Sequence, residues 1–244
     1  MSDDHQAAAG AVEAVLFDFS GTLMRIEPGE AWVSAVLADA GLDVPEAERV
    51  RWARLVEGAG GLPGGAMPSS VPPELERLFA ERDLDAERHR AAYSGLVRAS
   101  GWPWPELVDA LYERHMTPAA WRPYPDAAAT LDALRAAGVR TCLISNIGWD
   151  PRPVLDAAGL LERLDGVVAS FEEGVQKPDA KLFGIACERI GADPRRTLMA
   201  GDSAGADRGG EPLGIRTFLV EPLPVEERPD GFADLRAFAA ARAA

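Results

Sequence analysis

The 244-residue chain has few cysteines and no long hydrophobic run. Only Cys142 and Cys187 are present, both in apolar surroundings, which argues against a disulfide framework and favours two inert thiols in a reducing compartment. No apolar run approaches the roughly 20 residues that a membrane-spanning helix needs. Residues 1–5 lack the cationic region of a signal peptide. The sequence therefore predicts a cytoplasmic protein with no membrane partner.

Positive charge is also scarce in this chain. The formal net charge is −14, which argues against nucleic acid as the main partner because its backbone is held by clustered Lys and Arg. A small anionic substrate is compatible with this acidity, since a pocket needs only local positive charge and a cation. The 47% of apolar and 26% of charged residues are ordinary for a globular protein. They leave the oligomeric state open between monomer and homodimer.

Short apolar runs that end in glycine or small polar residues recur along the chain. They occupy residues 14–19, 139–144, 166–169, 197–200 and 215–220. Helical patterns separate the later runs and end at Gly138, Gly159 and Gly191, as helices often do. This alternation predicts an α/β fold with a doubly wound parallel sheet. In such sheets ligands bind beyond the carboxyl ends of the strands.

Residues 30–112 interrupt this alternation. They contain helical stretches at 31–40, 74–81 and 86–99 and no convincing strand, and the glycine- and proline-rich stretch 58–73 indicates a loop or hinge. We therefore expect an α/β core formed by residues 1–28 and 113–244. Residues 29–112 are expected to form a helical insertion.

Polar residues follow the predicted strands at the edge where a ligand would bind. They are Asp18 after the first strand, Ser145 and Asn146 after the second, Lys177 beyond the third, and Asp202 with Asp207 after the fourth. Any one of them alone has an ordinary interpretation as a helix cap, a turn residue or an exposed charge. Their occurrence at successive strand ends indicates a shared site instead.

The chemistry of these residues points to a metal and a phosphoryl group. Converging carboxylates repel one another unless a cation lies between them, and a few hard oxygen ligands with room for water and phosphate suit Mg²⁺. Lys177 can neutralise Asp18 and a transferring phosphoryl group together. Hydroxyl and backbone N–H groups can hold phosphoryl oxygens. The residues expected to do so are Ser20, Gly21, Thr22, Ser145, Asn146 and Lys177.

These motifs resemble the four motifs of the haloacid dehalogenase superfamily. The family's first motif has a nucleophilic Asp and then Gly-Thr, as in residues 18–23 here, Asp-Phe-Ser-Gly-Thr-Leu. Its other motifs are a Ser or Thr, a Lys often followed by Pro, and a Gly-Asp pair with a second Asp. They are matched by Ser145, Lys177-Pro178, Gly201-Asp202 and Asp207. The resemblance covers roughly residues 12–23 and 123–220.

The resemblance implies a magnesium-dependent hydrolase with a Rossmann-like core. It would take a phosphoryl group from a small phosphorylated substrate through an aspartyl-phosphate intermediate. The catalytic residues implied are Asp18, Ser145 and Lys177. The metal ligands implied are Asp18, the backbone carbonyl of Ser20, Asp202 and Asp207. The helical insertion would be a cap that closes over the substrate and supplies selectivity.

Ser20 departs from the family's phosphatase pattern. Those phosphatases usually carry a second Asp at this position, which protonates the leaving group and then activates water. A hydroxyl with an unperturbed pKa far above 7 cannot replace it, and general acid–base help is worth about 10²–10⁴-fold.

Three interpretations of the reaction therefore stay open. The first is a phosphatase whose leaving group needs little acid help or whose acid comes from elsewhere. The second is a non-hydrolytic phosphoryl transferase, or a dehalogenase-like enzyme acting on carbon, although dehalogenases lack acidic residues such as Asp202 and Asp207. The third is a catalytically weak regulatory or binding protein that keeps the metal site.

Three further residues are candidates near the site. His115 is a candidate alternative general acid, although a histidine near a helix end usually has a structural role. His89 lies in a charged helical stretch and is expected to face solvent. Trp149 closely follows Asn146 and is expected either to border the site or to pack in the core.

Overall fold

The structure is a computed structural model and describes residues 12–243. The prediction made on residues 1–5 lies outside this range. The strands are β1 (Ala14–Phe17), β2 (Met24–Ile26), β3 (Trp121–Pro123), β4 (Arg140–Ser145), β5 (Gly166–Ala169), β6 (Thr197–Gly201) and β7 (Arg216–Leu219). Five of them form a parallel sheet in the order β5-β4-β1-β6-β7. The predicted α/β fold with a parallel sheet is confirmed.

Helices flank this sheet and fill the insertion. The insertion contains α1 (Gly29–Asp39), α2 (Glu46–Gly58), α3 (Glu76–Ala80), α4 (Ala86–Ala99) and α5 (Val108–Arg114). The remaining helices are α6 (Ala127–Ala136), α7 (Arg152–Ala157), α8 (Ser170–Glu173), α9 (Ala180–Ile190), α10 (Ala204–Asp207) and α11 (Ala233–Ala243). Every helix in residues 12–243 falls short of the length and apolarity needed to span a bilayer.

The sheet is buried on both faces because side chains alternate along β1. Val15 and Phe17 belong to the cluster that includes Leu131 of α6 and Phe232, whose ring meets Phe17 edge-on at 5.6 Å. Leu16 belongs to the opposite cluster, which includes Phe183 of α9. Burial on both faces explains why the strands are continuous apolar runs. The two cysteines are buried and unpaired, as predicted.

Residues 29–114 form the segment that we call the helical segment. α1, α3 and α4 lie close to the predicted stretches, whereas α2 and α5 were not among them. No strand interrupts the helices between β2 and β3 within the described chain. The Asp85 side chain accepts a hydrogen bond from the Arg88 N–H at 2.7 Å and so caps α4. The division into a core and a separate insertion domain stays a prediction.

The small antiparallel sheet of β2 and β3 was not predicted from the sequence. Each strand has only three residues, and the two lie on either side of the helical segment. Such short strands carry too few alternating positions to be recognised. The pair joins the two chain ends of the helical segment.

Candidate active site

Asp18 and Asp202 are brought together by two neighbouring strands. Asp18 directly follows β1, and its N–H donates a hydrogen bond to the Ala200 carbonyl of β6 at 2.9 Å. Asp202 directly follows β6, which pairs with β1 in parallel register. Parallel strands end at the same edge of the sheet, so the two carboxylates project from that edge side by side.

Lys177 links two of the acidic residues. Its Nζ lies 2.7 Å from Asp18 Oδ1 and 2.7 Å from Asp207 Oδ1, and only 4% of the residue is exposed. The Asn146 side chain fixes the lysine backbone, donating to the Lys177 carbonyl at 2.8 Å and accepting from the Lys177 N–H at 2.6 Å. The side-chain amide of Asn146, which was predicted to bind phosphate, therefore also positions Lys177.

Asp207, at the end of α10, is held by the backbone just before that helix. Its Oδ2 accepts a hydrogen bond from the Ser203 N–H at 2.9 Å. A side chain on Gly201 would clash, because its Cβ would lie 2.1 Å from this same oxygen. Both oxygens of Asp207 thus have protein partners, while its assignment as a metal ligand stays a prediction. In the structure its evident role is to orient Lys177.

The acidic cluster carries more negative charge than Lys177 can balance. Burial raises the pKa of Asp18 to about 7, with Lys177 opposing the rise and the charges of Asp207 and Asp202 adding to it. Burial and the charge of Asp207 also raise the pKa of Asp202. Burial alone would lower the pKa of Lys177, but the charges of Asp18 and Asp207 outweigh this and raise it. A further cation would relieve this repulsion.

The residues present fit a magnesium ion. Asp18 and Asp202 offer carboxylate oxygens, and Gly21 leaves room for them because a Cβ there would lie 2.3 Å from Asp202 Oδ2. Within the described residues, no three His, Cys, Asp or Glu side chains form a group that could hold an ion. Mg²⁺ does not need such a cage, since it is commonly bound by one or two carboxylates together with water and substrate phosphate.

Gly21 and Thr22 do not reach the cavity. The Gly21 N–H donates to the Met24 carbonyl at 2.8 Å, and Gly21 adopts φ +78°, which favours glycine. Thr22 is fully buried and is absent from the cavity lining. The two residues form the tight turn that leads into β2. The prediction that they hold phosphoryl oxygens stays a prediction.

A cavity of about 440 Å³ opens above the acidic cluster. Its floor is formed by the predicted site residues Asp18, Ser20, Ser145, Asn146, Lys177 and Asp202. Arg25 of β2 and Trp121 of β3 line its side. The structure thus brings together the residues predicted after β1, β4 and β6 and beyond β5. The volume suits a small-molecule ligand.

The glycine-rich loop of the helical segment forms another wall of the cavity. Residues 63–67 line it, and the Ser20 hydroxyl donates a hydrogen bond to the Gly64 carbonyl at 3.2 Å. Gly64 has φ +78°, and a Cβ there would lie 2.7 Å from the Trp121 ring. The composition predicted a loop or hinge, and the structure shows that this loop also shapes the cavity.

The roof of the cavity comes from the turn before α4 and from α4 itself. Arg82, Asp83, His89 and Tyr93 line it. The prediction that His89 faces solvent is wrong, since only 3% of this residue is exposed. Its ring packs on Gly148, where a Cβ would lie 2.2 Å from the His89 Cβ. The sequence did contain a signal of this burial, because Ala92, Tyr93 and Leu96 follow His89 at the spacing of one helix face.

The other two candidates, His115 and Trp149, are buried and lie next to each other. His115 is fully buried, its ring lies 5.2 Å from that of Trp149, and burial lowers its pKa to about 3. His115 does not line the cavity, whereas Trp149 does. The structure therefore does not support His115 as a general acid.

Comparison with known proteins identifies the family. The sequence profile of the haloacid dehalogenase-like hydrolase family matches residues 12–209. The chain belongs to this family. Members of known structure share its fold, among them the L-2-haloacid dehalogenase from Xanthobacter autotrophicus, with a TM-score of 0.61 at 21% identity over 94% of this chain and 88% of that one. A HAD phosphatase from Thermococcus onnurineus gives a TM-score of 0.54 at 23% identity over 86% of both chains.

Family members with closer sequences bear phosphatase names. The glyceraldehyde 3-phosphate phosphatase of Methanopyrus kandleri is 31% identical over 232 residues, which are 90% of this chain and 91% of that protein. The phosphoserine phosphatase of Thermus thermophilus is 34% identical over 67% of this chain and 66% of that protein. Against the mouse haloacid dehalogenase-like hydrolase domain-containing protein 3, 33% identical, the chain spans about half of the relative's length, 48%.

Proposed function

We propose that this protein is a magnesium-dependent phosphatase that hydrolyses a small phosphorylated metabolite. The observation that carries the proposal is the contact of Lys177 Nζ with both Asp18 and Asp207 at 2.7 Å, at the floor of a cavity of about 440 Å³. A buried ammonium beside a carboxylate can hold a phosphoryl group against that carboxylate. The phosphatase names of the relatives support the same reaction class.

Asp18 is the proposed nucleophile. Its Oδ1 is held by Lys177, so its second oxygen is the one available to attack phosphorus and form an aspartyl phosphate. Lys177 and the Ser145 hydroxyl then hold phosphoryl oxygens, and Asn146 keeps the lysine in place. Water attacks phosphorus in the second half of the reaction and returns the Asp18 carboxylate.

The metal would be held by Asp18, Asp202 and the Ser20 carbonyl. Bound Mg²⁺ supplies positive charge that neutralises the excess of carboxylates and the developing charge on the phosphoryl group. Asp207 serves the same site by orienting Lys177 through the 2.7 Å contact. The helical segment acts as the cap that encloses the substrate, since its residues 63–67, Arg82, Asp83, His89 and Tyr93 line the cavity.

A phosphate-release assay tests this proposal. Wild type and Asp18→Asn are compared with Mg²⁺ over a panel of sugar phosphates, nucleotides and carboxylated phosphomonoesters. We expect magnesium-dependent release by the wild type and loss of at least 10³-fold in Asp18→Asn, since this substitution removes the nucleophile. No turnover of any substrate by the wild type, or equal rates in the two proteins, contradicts the proposal.

Carbon chemistry is the second candidate because one relative carries its name. The (S)-2-haloacid dehalogenase 1 of Pseudomonas sp. is 35% identical over 118 residues, about half of each chain at 48% and 49%. The absence of an acidic side chain at Ser20 is compatible with such a reaction. Halide release from a 2-haloacid without metal, at a rate above that of phosphate release, would favour this candidate over the phosphatase.

A further inference from the structure

The position that usually carries the family's second acid is already engaged in another contact. Ser20 donates its hydroxyl hydrogen to the Gly64 carbonyl at 3.2 Å, which ties the nucleophile loop to the glycine-rich loop. A hydroxyl cannot protonate an alkoxide leaving group at neutral pH as a carboxylic acid can. If the protein is a phosphatase, another side chain in the cavity must transfer these protons.

Asp83 is the carboxyl that the helical segment contributes to the same cavity. Only 3% of this residue is exposed, yet it lines the space that Asp18 and Lys177 also line. Its oxygens accept no hydrogen bond from any described residue, and the nearest cationic or titratable groups are Arg82 at 3.5 Å and His89 Nε2 at 3.7 Å. A buried carboxyl without a hydrogen-bond donor is unusual and is available to a ligand.

The backbone of Asp83 is anchored to the loop that follows β4. Its carbonyl accepts a hydrogen bond from the Ser170 hydroxyl at 2.6 Å, and that hydroxyl oxygen also accepts the Ile147 N–H at 2.9 Å. Ile147 directly follows Asn146, which brackets Lys177. A second contact, from Gln176 Nε2 to the Ala80 carbonyl at 2.8 Å, holds the preceding helix. Asp83 is thus fixed relative to the phosphoryl-binding groups by short hydrogen-bonded links.

Asp83 is not buried here simply to serve as the counter-ion of Arg82. The guanidinium makes its close contacts elsewhere, to the Phe79 carbonyl at 2.6 Å and to the Tyr93 hydroxyl at 3.3 Å. Its contact with Asp83 is longer, at 3.5 Å.

His89 is a weaker choice for the same task. Burial, with the charges of His115 and Arg82, lowers the pKa of His89 well below its usual range, so the ring is neutral and cannot donate as an imidazolium. Its Nδ1 is engaged with the Tyr112 hydroxyl at 2.8 Å. Its Nε2 faces Asp83 and can orient that carboxyl.

Four cationic or titratable groups face Asp83. They are Arg82 on its own turn, His89 and Tyr93 on α4, and Lys177 across the cavity. Burial raises the pKa of Asp83, and the positive charges of Arg82 and Lys177 only partly oppose this rise. The family's usual acid lies two residues from the nucleophile, whereas this one is supplied by the helical segment.

We propose that Asp83 is the acid–base residue of the phosphatase reaction, in place of the carboxyl that is missing at Ser20. The inference rests on the proposed function. In the first step the Asp18 oxygen bonds to phosphorus, the bond to the leaving oxygen breaks with its electron pair, and this oxygen takes the Asp83 proton. In the second step the Asp83 carboxylate takes a proton from water, whose oxygen bonds to phosphorus. The bond from phosphorus to Asp18 then breaks and the Asp18 carboxylate is restored.

The test compares Asp83→Asn with the control Asp85→Asn on two substrates. The Asp85 side chain is 41% exposed, lies on the same stretch of chain, and keeps its helix cap when replaced by Asn. One substrate is an alkyl phosphomonoester that the wild type hydrolyses, and the other is p-nitrophenyl phosphate, whose leaving group needs no proton. Asp83→Asn should lose about 10²–10⁴-fold in kcat/KM on the alkyl ester and less than about tenfold on p-nitrophenyl phosphate.

The second step gives an independent readout in the same variant. Asp83→Asn should release a burst of p-nitrophenol equal to the enzyme concentration, followed by slow turnover, because water attack on the aspartyl phosphate lacks its base. Asp85→Asn should behave as the wild type in every assay. Asp83→Glu, which keeps a carboxyl, should regain at least tenfold of the loss on the alkyl ester.

Several results would overturn the inference. They are a similar loss on both substrates, a change of less than about threefold on both, or an Asp83→Glu enzyme no better than Asp83→Asn. If circular dichroism shows that Asp83→Asn does not fold, kcat/KM for the two substrates is measured on Asp83→Glu instead. An equal loss of kcat/KM on both substrates, which leaves their ratio as in the wild type, would then overturn the inference. An inactive wild type, or an active Asp18→Asn, would instead reject the proposed function itself.

Discussion

Replacing Lys177 with methionine removes the ammonium that lies between Asp18 and Asp207. Both contacts are 2.7 Å long, and the lysine side chain is 3% exposed. Methionine is similar in length and apolar, so the cost of an empty cavity is small. The two carboxylates are left buried without their partner, and breaking a buried ion pair on one side costs about 3–5 kcal/mol. We therefore expect the free energy of unfolding to fall by about this amount.

Urea unfolding at neutral pH, followed by circular dichroism, measures the change. The only other lysine in the chain provides a matched control, because Lys181 is exposed on α9. Lys181→Met should change the free energy of unfolding by no more than about 0.5 kcal/mol. A loss below about 1 kcal/mol in Lys177→Met would refute the view that this lysine balances the acidic cluster. Added Mg²⁺ should recover part of the loss, since it supplies positive charge to the same carboxylates.

Three further substitutions probe the site and its surroundings. In Gly21→Ala the new methyl group would lie 2.3 Å from Asp202 Oδ2. The rise in melting temperature that Mg²⁺ causes should therefore be smaller in Gly21→Ala than in the control Gly41→Ala, where φ is a similar +71° and no atom lies within 4 Å. Equal effects of the two would show that Asp202 is not displaced. Ser20→Ala removes only the hydrogen bond to Gly64, so the free energy of unfolding should fall by about 0.5–1.5 kcal/mol and kcat by less than about tenfold. A larger loss of kcat would mean that the hydroxyl takes part in the chemistry. Because burial lowers the pKa of His115 to about 3, the unfolded chain binds a proton below about pH 6.5 that the folded protein does not, and stability falls as pH falls. The difference in unfolding free energy between wild type and His115→Gln should therefore shift by about 2 kcal/mol between about pH 7.5 and pH 5, and an unchanged difference would mean that His115 is protonated in the folded protein.

The parallel strands and the floor of the site followed from local sequence patterns. Apolar runs buried on both faces mark the parallel strands, and the polar residues after them must meet at one edge. This is why Asp18, Ser145, Lys177 and Asp202 were found together by reasoning from the sequence. Thr22 belongs to the same motif but is fully buried and does not line the cavity, because a residue in a tight turn can face inward as easily as outward.

The roof of the cavity could not be predicted, because it depends on contacts between residues far apart in the chain. Asp83 reaches the core through Ser170, 87 residues away, and nothing in its local sequence marks that contact. Ser20 and Gly64 meet across 44 residues in the same way. His89 lies in a highly charged stretch, and only the apolar side chains one helical turn later indicated that it is buried.

The central claim is that Asp18 receives a phosphoryl group from the substrate. Borohydride reduction of enzyme quenched during turnover with Mg²⁺, followed by peptide mass spectrometry, tests it most directly. We predict that the peptide containing residues 14–23 carries the reduction product of an acyl phosphate at Asp18. Asp18→Asn and wild type without substrate should lack this product. Steady phosphate release by the wild type with Asp18 unmodified, or with the product on another residue, would contradict the claim.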